Sequence, residues 1–124
     1  MKFKYQIIEK SGLIIILFRG NLLENNQTMN LSDDIEHLLV QKKNNFILDL
    51  SELKHINSSG LGEMVKILTK SRKSGGETIL ANVSEKIKTL FITTKLNTIF
   101  TITDSVEEAA EKLTAGNLQQ AVDI

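Results

Sequence analysis

The chain has 124 residues, with 15 lysine and arginine residues against 15 aspartate and glutamate residues, and no cysteine or proline. This length predicts one domain with a single core, and zero formal net charge argues against nonspecific attraction to nucleic acid or anionic lipid. Without cysteine, disulfides and thiolate metal sites are excluded. The longest apolar run, Leu13 to Phe18, is far shorter than the roughly 20 residues of a transmembrane helix, and the first residues lack a secretory signal. We therefore expect a cytoplasmic protein without membrane insertion and without a cofactor.

The first third of the chain predicts two strands and a helix. Phe3, Tyr5 and Ile7 alternate with polar residues, which is the period of an edge strand with one solvent face. After the turn at residues 11–12, the β-branched run 13–18 predicts a central strand covered on both faces. Beyond the polar stretch 21–28, apolar residues recur at helical spacing and predict the first helix. These residues are Leu31, Ile35, Leu38 and Leu39.

The middle of the chain predicts a strand followed closely by a helix. Residues 46–50 form a third apolar strand, and the turn at residues 75–76 ends the second helix. The helix begins at Ser58 and Ser59. Its apolar face consists of Leu61, Met64, Val65 and Leu68, and its predicted solvent face consists of Glu63, Lys66, Lys70 and Lys73.

The last third predicts two further strand and helix pairs. Residues 78–81 form a short strand, and Ser84 is a good N-cap for a third helix with Ile87, Leu90 and Phe91 inside. Residues 99–103 form the last strand, and Ser105 with Glu108 forms a capping box for a fourth helix. That helix is expected to bury Val106, Ala109, Ala110 and Leu113. We assign the domain to residues 1–115 and expect the tail, 116–124, to be a frayed helix.

The alternation of strands and helices predicts the α/β class. Right-handed crossovers would make most strands parallel, with the first strand added antiparallel at an edge. We expect a single domain with a mixed, mostly parallel sheet of four to five strands packed with about four α-helices. The apolar residues after the third helix fit either the core or a contact patch. They are Ile92, Leu96, Ile99 and Phe100.

A hydroxyl pair followed by glycines occupies the junction between the third strand and the second helix. The segment reads His55-Ile56-Asn57-Ser58-Ser59-Gly60-Leu61-Gly62. Backbone N–H groups at a helix start are unpaired and carry partial positive charge. Ser58 could therefore cap the helix, worth ~1 kcal/mol, or hold a phosphate there once it is modified.

Several spaced segments together resemble the STAS domain of anti-sigma factor antagonists, small bacterial proteins that bind a switch kinase and thereby release a sigma factor. The segments are residues 19–22, 48–51, 57–62, 75–76 and 102–109. The resemblance implies that a serine kinase that is also the anti-sigma factor phosphorylates Ser58, that this phosphate prevents binding, and that a serine phosphatase resets the cycle. It also implies a monomer or weak dimer that is not an enzyme, with ATP belonging to the kinase.

The resemblance also implies a partner-binding surface at the helix start and in the loop 21–28. Its residues are Asn21, Leu23, Asn25, Asn57, Ser58, Ser59, Gly60, Leu61 and Gly62. Two of them depart from the family pattern, because Asn57 replaces an aspartate and Leu23 replaces another acidic residue. Either the partner differs in charge to match, or the chain is a non-phosphorylated STAS scaffold or adaptor in a larger signalling or transport assembly, with Ser58 only a cap.

No complete catalytic or nucleotide-binding arrangement is evident. His55 precedes Ser58 by three residues, but an orienting acid, an oxyanion hole and a nucleophile elbow are missing. Gly60 and Gly62 lack the third glycine of a dinucleotide fingerprint. We expect them to allow close approach of the helix start to the neighbouring backbone and to keep the surface around Ser58 open to a partner. Nucleotide binding has been suggested for the family, and no residue here can be named for it.

Metal and nucleic-acid sites are equally unsupported. His37 and His55 are far apart and have no paired ligands, so a zinc site is not expected. Asp33 and Asp34 point in different directions on a helix, which favours a solvated face. The basic residues between 66 and 73 are interrupted by acidic ones and lack aromatic residues for base stacking.

Overall fold

The computed structural model describes the backbone of residues 2–122 and the side chains of residues 2–24 and 26–114. Five strands and four α-helices alternate along the described chain. In chain order these are β1 (Lys4–Lys10), β2 (Leu13–Leu22), α1 (Met29–Val40), β3 (Asn45–Ile56), α2 (Ser58–Lys73), β4 (Glu77–Ala81), α3 (Glu85–Thr93), β5 (Thr101–Thr103) and α4 (Val106–Val122). Two short 3₁₀ helices, Asn25–Thr28 and Leu96–Thr98, precede α1 and β5.

The strands form one mixed sheet in the order β1-β2-β3-β4-β5. β1 pairs antiparallel with β2, and the remaining neighbours are parallel. This confirms the predicted α/β class and the antiparallel edge strand. β2 has a neighbour on each side, as predicted, although the middle strand of the sheet is β3.

Two apolar layers cover the sheet. α1, α2 and α3 pack on one face over a core that includes Phe18, Phe46 and Leu48. α4 packs on the other face, where Ala109 and Leu113 lie in a smaller cluster with Ile47. Full burial of a large apolar side chain stabilises by roughly 1.5–3 kcal/mol. These layers therefore hold β3 firmly, and with it the start of α2.

β2 and β3 continue beyond their predicted ends, to Leu22 and Ile56. Leu22, Leu53 and Ile56 remain buried there, so the apolar pattern still supports a strand. The pairing register shifts between Leu17 and Arg19 and again after Gly20, which interrupts the simple alternation in the sequence. As a result, only one residue separates β3 from α2.

The predicted helix boundaries are mostly confirmed. Gly75 follows α2 with φ +87°, a left-handed conformation that glycine adopts without strain. Ser84 Oγ accepts from the Ile87 N–H at 3.3 Å, and Ser105 Oγ accepts from the Glu108 N–H at 3.0 Å. α4 extends in its backbone to Val122. The domain boundary at residue 115 stays a prediction, since side chains from 115 onward lie outside the described residues.

The apolar residues expected after the third helix divide between the core and the surface, and Ile92 belongs to α3 itself. Phe100 is buried and packs edge-on against Phe91, with ring centroids 5.5 Å apart. Ile92 is 61% exposed and Ile99 is 37% exposed. β5 is shorter than predicted because residues 96–98 form a 3₁₀ turn. None of the helices in the described part of the chain is long and apolar enough to cross a membrane.

Candidate functional site

Ser58 is the first residue of α2, and its side chain is exposed. The N-cap is Asn57, whose Oδ1 accepts from the Gly60 N–H at 3.1 Å. The interpretation of Ser58 as the cap is therefore wrong, because the extended backbone of Asn57 places its side-chain amide against an N–H group of the first turn. No other described residue hydrogen-bonds the Ser58 hydroxyl, which is presented to solvent.

The first turn of α2 is electrostatically open to an anion. It contains no acidic residue, and Asn57 satisfies the Gly60 N–H only. The N–H groups of Ser58 and Ser59 have no hydrogen-bond acceptor among the described residues. Since N–H groups of a first turn carry the positive end of the helix dipole, they favour a negative group at this position.

Asn57 also joins the helix start to the loop after β2. Its Nδ2 donates to the Leu23 carbonyl at 2.9 Å, while its Oδ1 caps the helix. An aspartate could make only the second contact, because an ionised carboxylate has no N–H to donate. Where the resemblance implies an aspartate, asparagine therefore exchanges a charge for a link to Leu23.

Gln27 fixes the same loop from within. Its Oε1 accepts from the N–H groups of Leu23 and Glu24 at 2.8 and 2.9 Å, and its Nε2 donates to the Asn21 carbonyl at 3.2 Å. Gln27 was not among the residues predicted for the site. The signal was available, because an acidic residue followed three positions later by glutamine is the spacing of a capping box, which Glu24 and Gln27 form here.

Glu63 is buried, so its predicted solvent position is wrong. Thr28 Oγ1 donates to Glu63 Oε1 at 2.8 Å, and the Lys66 ammonium lies 3.1 Å from Glu63 Oε2. Only 9% of the Glu63 side chain is exposed. Residues 25–28 fold over this turn of α2 and cover the carboxylate, a tertiary contact that helical periodicity cannot indicate.

The two glycines of the motif have different surroundings. A Cβ on Gly60 would lie 2.5 Å from the Leu22 carbonyl oxygen and 2.6 Å from Ile56 Cγ1. A Cβ on Gly62 would meet nothing within 4 Å. Close approach therefore explains Gly60, whereas the same expectation for Gly62 is wrong.

The predicted partner-binding residues divide by exposure. Leu61 is 4% exposed and packs in the core, and Gly60 is also buried, so neither presents a side chain to a partner. Asn21 is half-buried, and its Oδ1 has no hydrogen-bond partner among the described residues. The side chain of Asn25 lies outside the described residues. The exposed members, which we call the Ser58 surface, are Leu23, Asn57, Ser58, Ser59 and Gly62.

An open groove of about 450 Å³ borders Glu63. Its walls are the first turn of α1 with Met29, which is 67% exposed, and the Glu63 to Lys66 turn of α2. Because Glu63 belongs to the second turn of the helix that begins at Ser58, this groove extends the Ser58 surface toward α1. Exposed Leu23 and Met29 give the region an apolar component.

The other candidate residues do not assemble into a reactive centre. His55 Nδ1 lies 3.0 Å from the Lys86 ammonium, and His37 Nδ1 lies 3.0 Å from the Asp33 carbonyl. Asp34 accepts from the Tyr5 hydroxyl at 2.6 Å. Across the side chains that the structure describes, no cluster of three or more histidine, cysteine or acidic groups could hold a metal ion.

Comparisons with known proteins agree with this architecture. A family model described as "STAS domain" matches residues 4–109. A Thermotoga maritima protein named "Putative anti-sigma factor antagonist" is 29% identical over 111 residues, which cover 90% of this chain and 96% of that protein. A crystal structure of a T. maritima protein of the same description has a TM-score of 0.77 at 28% identity, covering 90% of this chain and 94% of the other.

The anti-sigma factor antagonist SpoIIAA in its unphosphorylated form shares the fold. Its TM-score is 0.69 at 21% identity, and the match covers 91% of this chain and 99% of SpoIIAA. The sheet order and helix layers described above are thus those of a known domain type. On the match over residues 4–109, this chain belongs to the STAS domain family.

Proposed function

We propose that this STAS domain is a cytoplasmic anti-sigma factor antagonist that docks a serine kinase acting as anti-sigma factor, and that phosphorylation of Ser58 ends the complex. The observation that carries the proposal is the exposed Ser58 hydroxyl at the first position of α2, without a capping role. A kinase can reach such a hydroxyl without disturbing the fold. A serine phosphatase would return the chain to its binding form.

The names of related proteins support this role. The T. maritima relative is named as an anti-sigma factor antagonist, and a solved structure of similar fold is that of the Bacillus cell fate determinant SpoIIAA in the phosphorylated form. In this chain the corresponding event would use the open N–H groups of Ser58 and Ser59. A phosphate there gains about 0.3–1 kcal/mol from the helix dipole, so the free protein should stay folded.

The same phosphate would act against a partner. Phosphorylation adds roughly −1.5 to −2 charges, and burying an ion under a docked protein costs several kcal/mol. Since each ~1.4 kcal/mol is tenfold in affinity, a modest part of that cost is enough to abolish a micromolar complex. The phosphate therefore prevents docking without unfolding the chain.

The alternative is a scaffold or adaptor without a phosphate cycle. It would bind through the same edge and be insensitive to charge at Ser58, which would then serve only as a helix cap. Asn57 performs that function here, which leaves the exposed hydroxyl of Ser58 without a structural task. This observation favours the phosphorylated switch over the scaffold.

The test is a quantitative pull-down from a lysate of the source organism with wild type, Ser58→Ala, Ser58→Gln and Ser58→Glu, after circular dichroism confirms that all fold. Gln matches Glu in size without its charge. We expect a protein with a serine kinase domain to be retained by wild type and Ser58→Ala, weakened by Ser58→Gln, and lost with Ser58→Glu.

Other outcomes contradict the proposal. Identical partners for all four proteins would support the scaffold. Equal loss with Gln and Glu would mean that size rather than charge decides binding. The retained kinase should also phosphorylate wild type with ATP and leave Ser58→Ala unmodified, as measured by intact-protein mass spectrometry.

A further inference from the structure

A second concave surface, which shares no residue with the Ser58 surface, lies near the antiparallel edge of the sheet. It is an open pocket of about 320 Å³. Its lining residues are Lys2, Lys4, Arg19, Ser51, Glu52 and Lys54. We call its four cations, Lys2, Lys4, Arg19 and Lys54, the basic patch.

Strand geometry places the basic patch on the sheet face opposite α1, α2 and α3. Phe3 and Tyr5 pack against the larger core, so the residues that alternate with them, including Lys4, point to the other face. Lys4 lies directly opposite Arg19 in the pairing of β1 with β2. Arg19 is exposed, while its neighbour Phe18 is fully buried.

The basic patch carries unbalanced charge. The Arg19 guanidinium lies 3.2 Å from the Glu52 carboxylate, and this is the one acidic group that lines the pocket within the described chain. Lys2, Lys4 and Lys54 form no ion pair with any described side chain. Four cations and one carboxylate leave three positive charges here, although the chain as a whole is neutral.

Protection of the sheet edge does not account for this arrangement. Lysines on an edge strand discourage pairing with other chains, which explains Lys4 and Lys10 on β1. Arg19 belongs to the interior strand β2 and is paired with Lys4 on one side and with Glu52 on the other, so edge protection does not explain it. Lys54 lies in the part of β3 that extends beyond the pairing with β4, which ends at Asp49. Moreover, like charges directly across a strand pair destabilise the sheet, so placing Lys4 opposite Arg19 costs stability.

We infer that the basic patch binds an acidic peptide segment of a partner protein. Three free ammonium groups, on Lys2 just before β1, Lys4 on β1 and Lys54 on β3, suit several carboxylates along an extended chain, because each lysine is a flexible point charge. The one guanidinium is already engaged by Glu52. None of its residues belongs to the Ser58 surface, so this inference does not rest on the switch proposed above.

The test uses a fluorescent polyglutamate peptide as probe and fluorescence anisotropy at low salt. The patch variant is Lys2→Gln/Lys4→Gln/Lys54→Gln. The control, Lys10→Gln/Lys73→Gln/Lys95→Gln, removes the same total charge from exposed lysines that have no ion pair with a described side chain. Removing Lys4 relieves repulsion with Arg19, so we expect the patch variant to fold.

We expect the patch variant to bind about tenfold more weakly than wild type, as three exposed charge contacts would predict, and the control to change less than about twofold. When the peptide is titrated into the protein, the changes in backbone amide chemical shift measured by NMR should be largest at residues 2–4, 19 and 51–54. Equal losses in both variants, no binding by wild type, or dispersed shifts would overturn the inference. So would equally tight binding of tripolyphosphate, which would indicate a site for small anions.

Discussion

The centre of the sheet and the Ser58 end are stabilised by different forces. At the centre, Phe46, Ile47 and Leu48 are fully buried between helices on both faces. They are stabilised by the hydrophobic effect, which does not require a particular orientation of the groups in contact. At the Ser58 end, Asn57 and Thr28 hold a loop against the start of α2, and Gln27 fixes that loop from within, through hydrogen bonds of 2.8–3.2 Å. The two regions are neighbours along β3 and should respond differently to mutation.

This difference indicates how a surface can change while the fold persists. A hydrogen bond contributes about 0.5–1.5 kcal/mol net, whereas truncating a large core side chain costs about 2–5 kcal/mol. Loss of one polar contact can therefore release the loop 21–28 from α2, while the free energy of unfolding decreases by only a small fraction. The loop and the helix start are then positioned separately, and the Ser58 surface loses its shape.

Gly60 is the point at which the two regions meet, and its substitution should have the largest effect. Gly60→Ala places a Cβ 2.5 Å from the Leu22 carbonyl, so α2 must move away from β2. We expect a loss of about 3 kcal/mol in the free energy of unfolding, at the upper end of the usual cost of overpacking, as measured by urea denaturation.

Gly62→Ala is the matched control for that experiment. Its Cβ meets nothing within 4 Å, and alanine favours a helix over glycine by up to about 1 kcal/mol. We therefore expect unchanged or higher stability. Equal destabilisation by the two substitutions would contradict the close approach of Gly60 to β2.

Thr28→Val should separate the loop from α2 by a different route. The substitution keeps the shape of the side chain but removes the hydroxyl that donates to buried Glu63, leaving that carboxylate with Lys66. We expect a loss of about 1–3 kcal/mol in urea denaturation.

The double variant Thr28→Val/Glu63→Gln tests whether the charge is responsible. If the cost of Thr28→Val comes from an undersatisfied carboxylate, neutralising it should recover part of the stability. If the loss of unfolding free energy in the double variant equals the sum of the losses in the two single variants, the two side chains act independently.

The centre of this molecule was more predictable from sequence than its candidate site. Burial at the centre can be read directly from the sequence, because apolar residues recur with the period of the strand or helix whose buried face they form. Examples are the run 46–50 and the helical spacing of Leu61, Met64 and Leu68. The helix start after residue 57 was also predictable from the hydroxyl pair and its glycines.

The polar contacts of the site could not be predicted in the same way. Whether Asn57 or Ser58 caps α2 depends on one backbone conformation, and the burial of Glu63 depends on residues 35 positions earlier in the chain. Periodicity carries no information about either. Only Gln27 had a local signal, its spacing from Glu24.

Asn57→Asp tests whether the amide orients the loop. The carboxylate retains the cap on Gly60 and interacts favourably with the helix dipole, but it cannot donate to the Leu23 carbonyl. Because these effects oppose one another, we expect stability to change by less than about 1 kcal/mol. Amide hydrogen exchange at residues 23–28 should nevertheless become faster.

Asn57→Ala provides the comparison, since it removes both contacts. It should cost about 1–2 kcal/mol and also accelerate exchange in the loop. Unchanged exchange at residues 23–28 in Asn57→Asp would show that the contacts of Gln27 and Thr28 hold the loop, and that the link to Leu23 has no consequence.

Tyr5 extends the comparison to a polar contact outside the Ser58 surface. Its hydroxyl donates to Asp34 Oδ2 at 2.6 Å and ties the edge strand to α1. Burial, this hydrogen bond and the charges of Asp34 and Asp33 raise the pKa of Tyr5 from 10.0 to about 12. After deprotonation, the Tyr5 oxygen has no hydrogen to donate, and its negative charge is repelled by the Asp34 carboxylate.

The raised pKa determines the direction of the pH dependence. Between pH 10 and about pH 12 the folded chain keeps the Tyr5 proton that the unfolded chain releases, so the contribution of Tyr5 to stability is complete below pH 10 and declines above it. Tyr5→Phe has no proton to lose, and its stability should fall less over that range. Tyr5 is the only tyrosine in the chain, so the absorbance of tyrosinate reports its titration without interference. A midpoint of tyrosinate formation near pH 10 in the folded protein would mean that the Asp34 contact is too weak to hold the proton. Wild type and Tyr5→Phe should then lose stability in parallel.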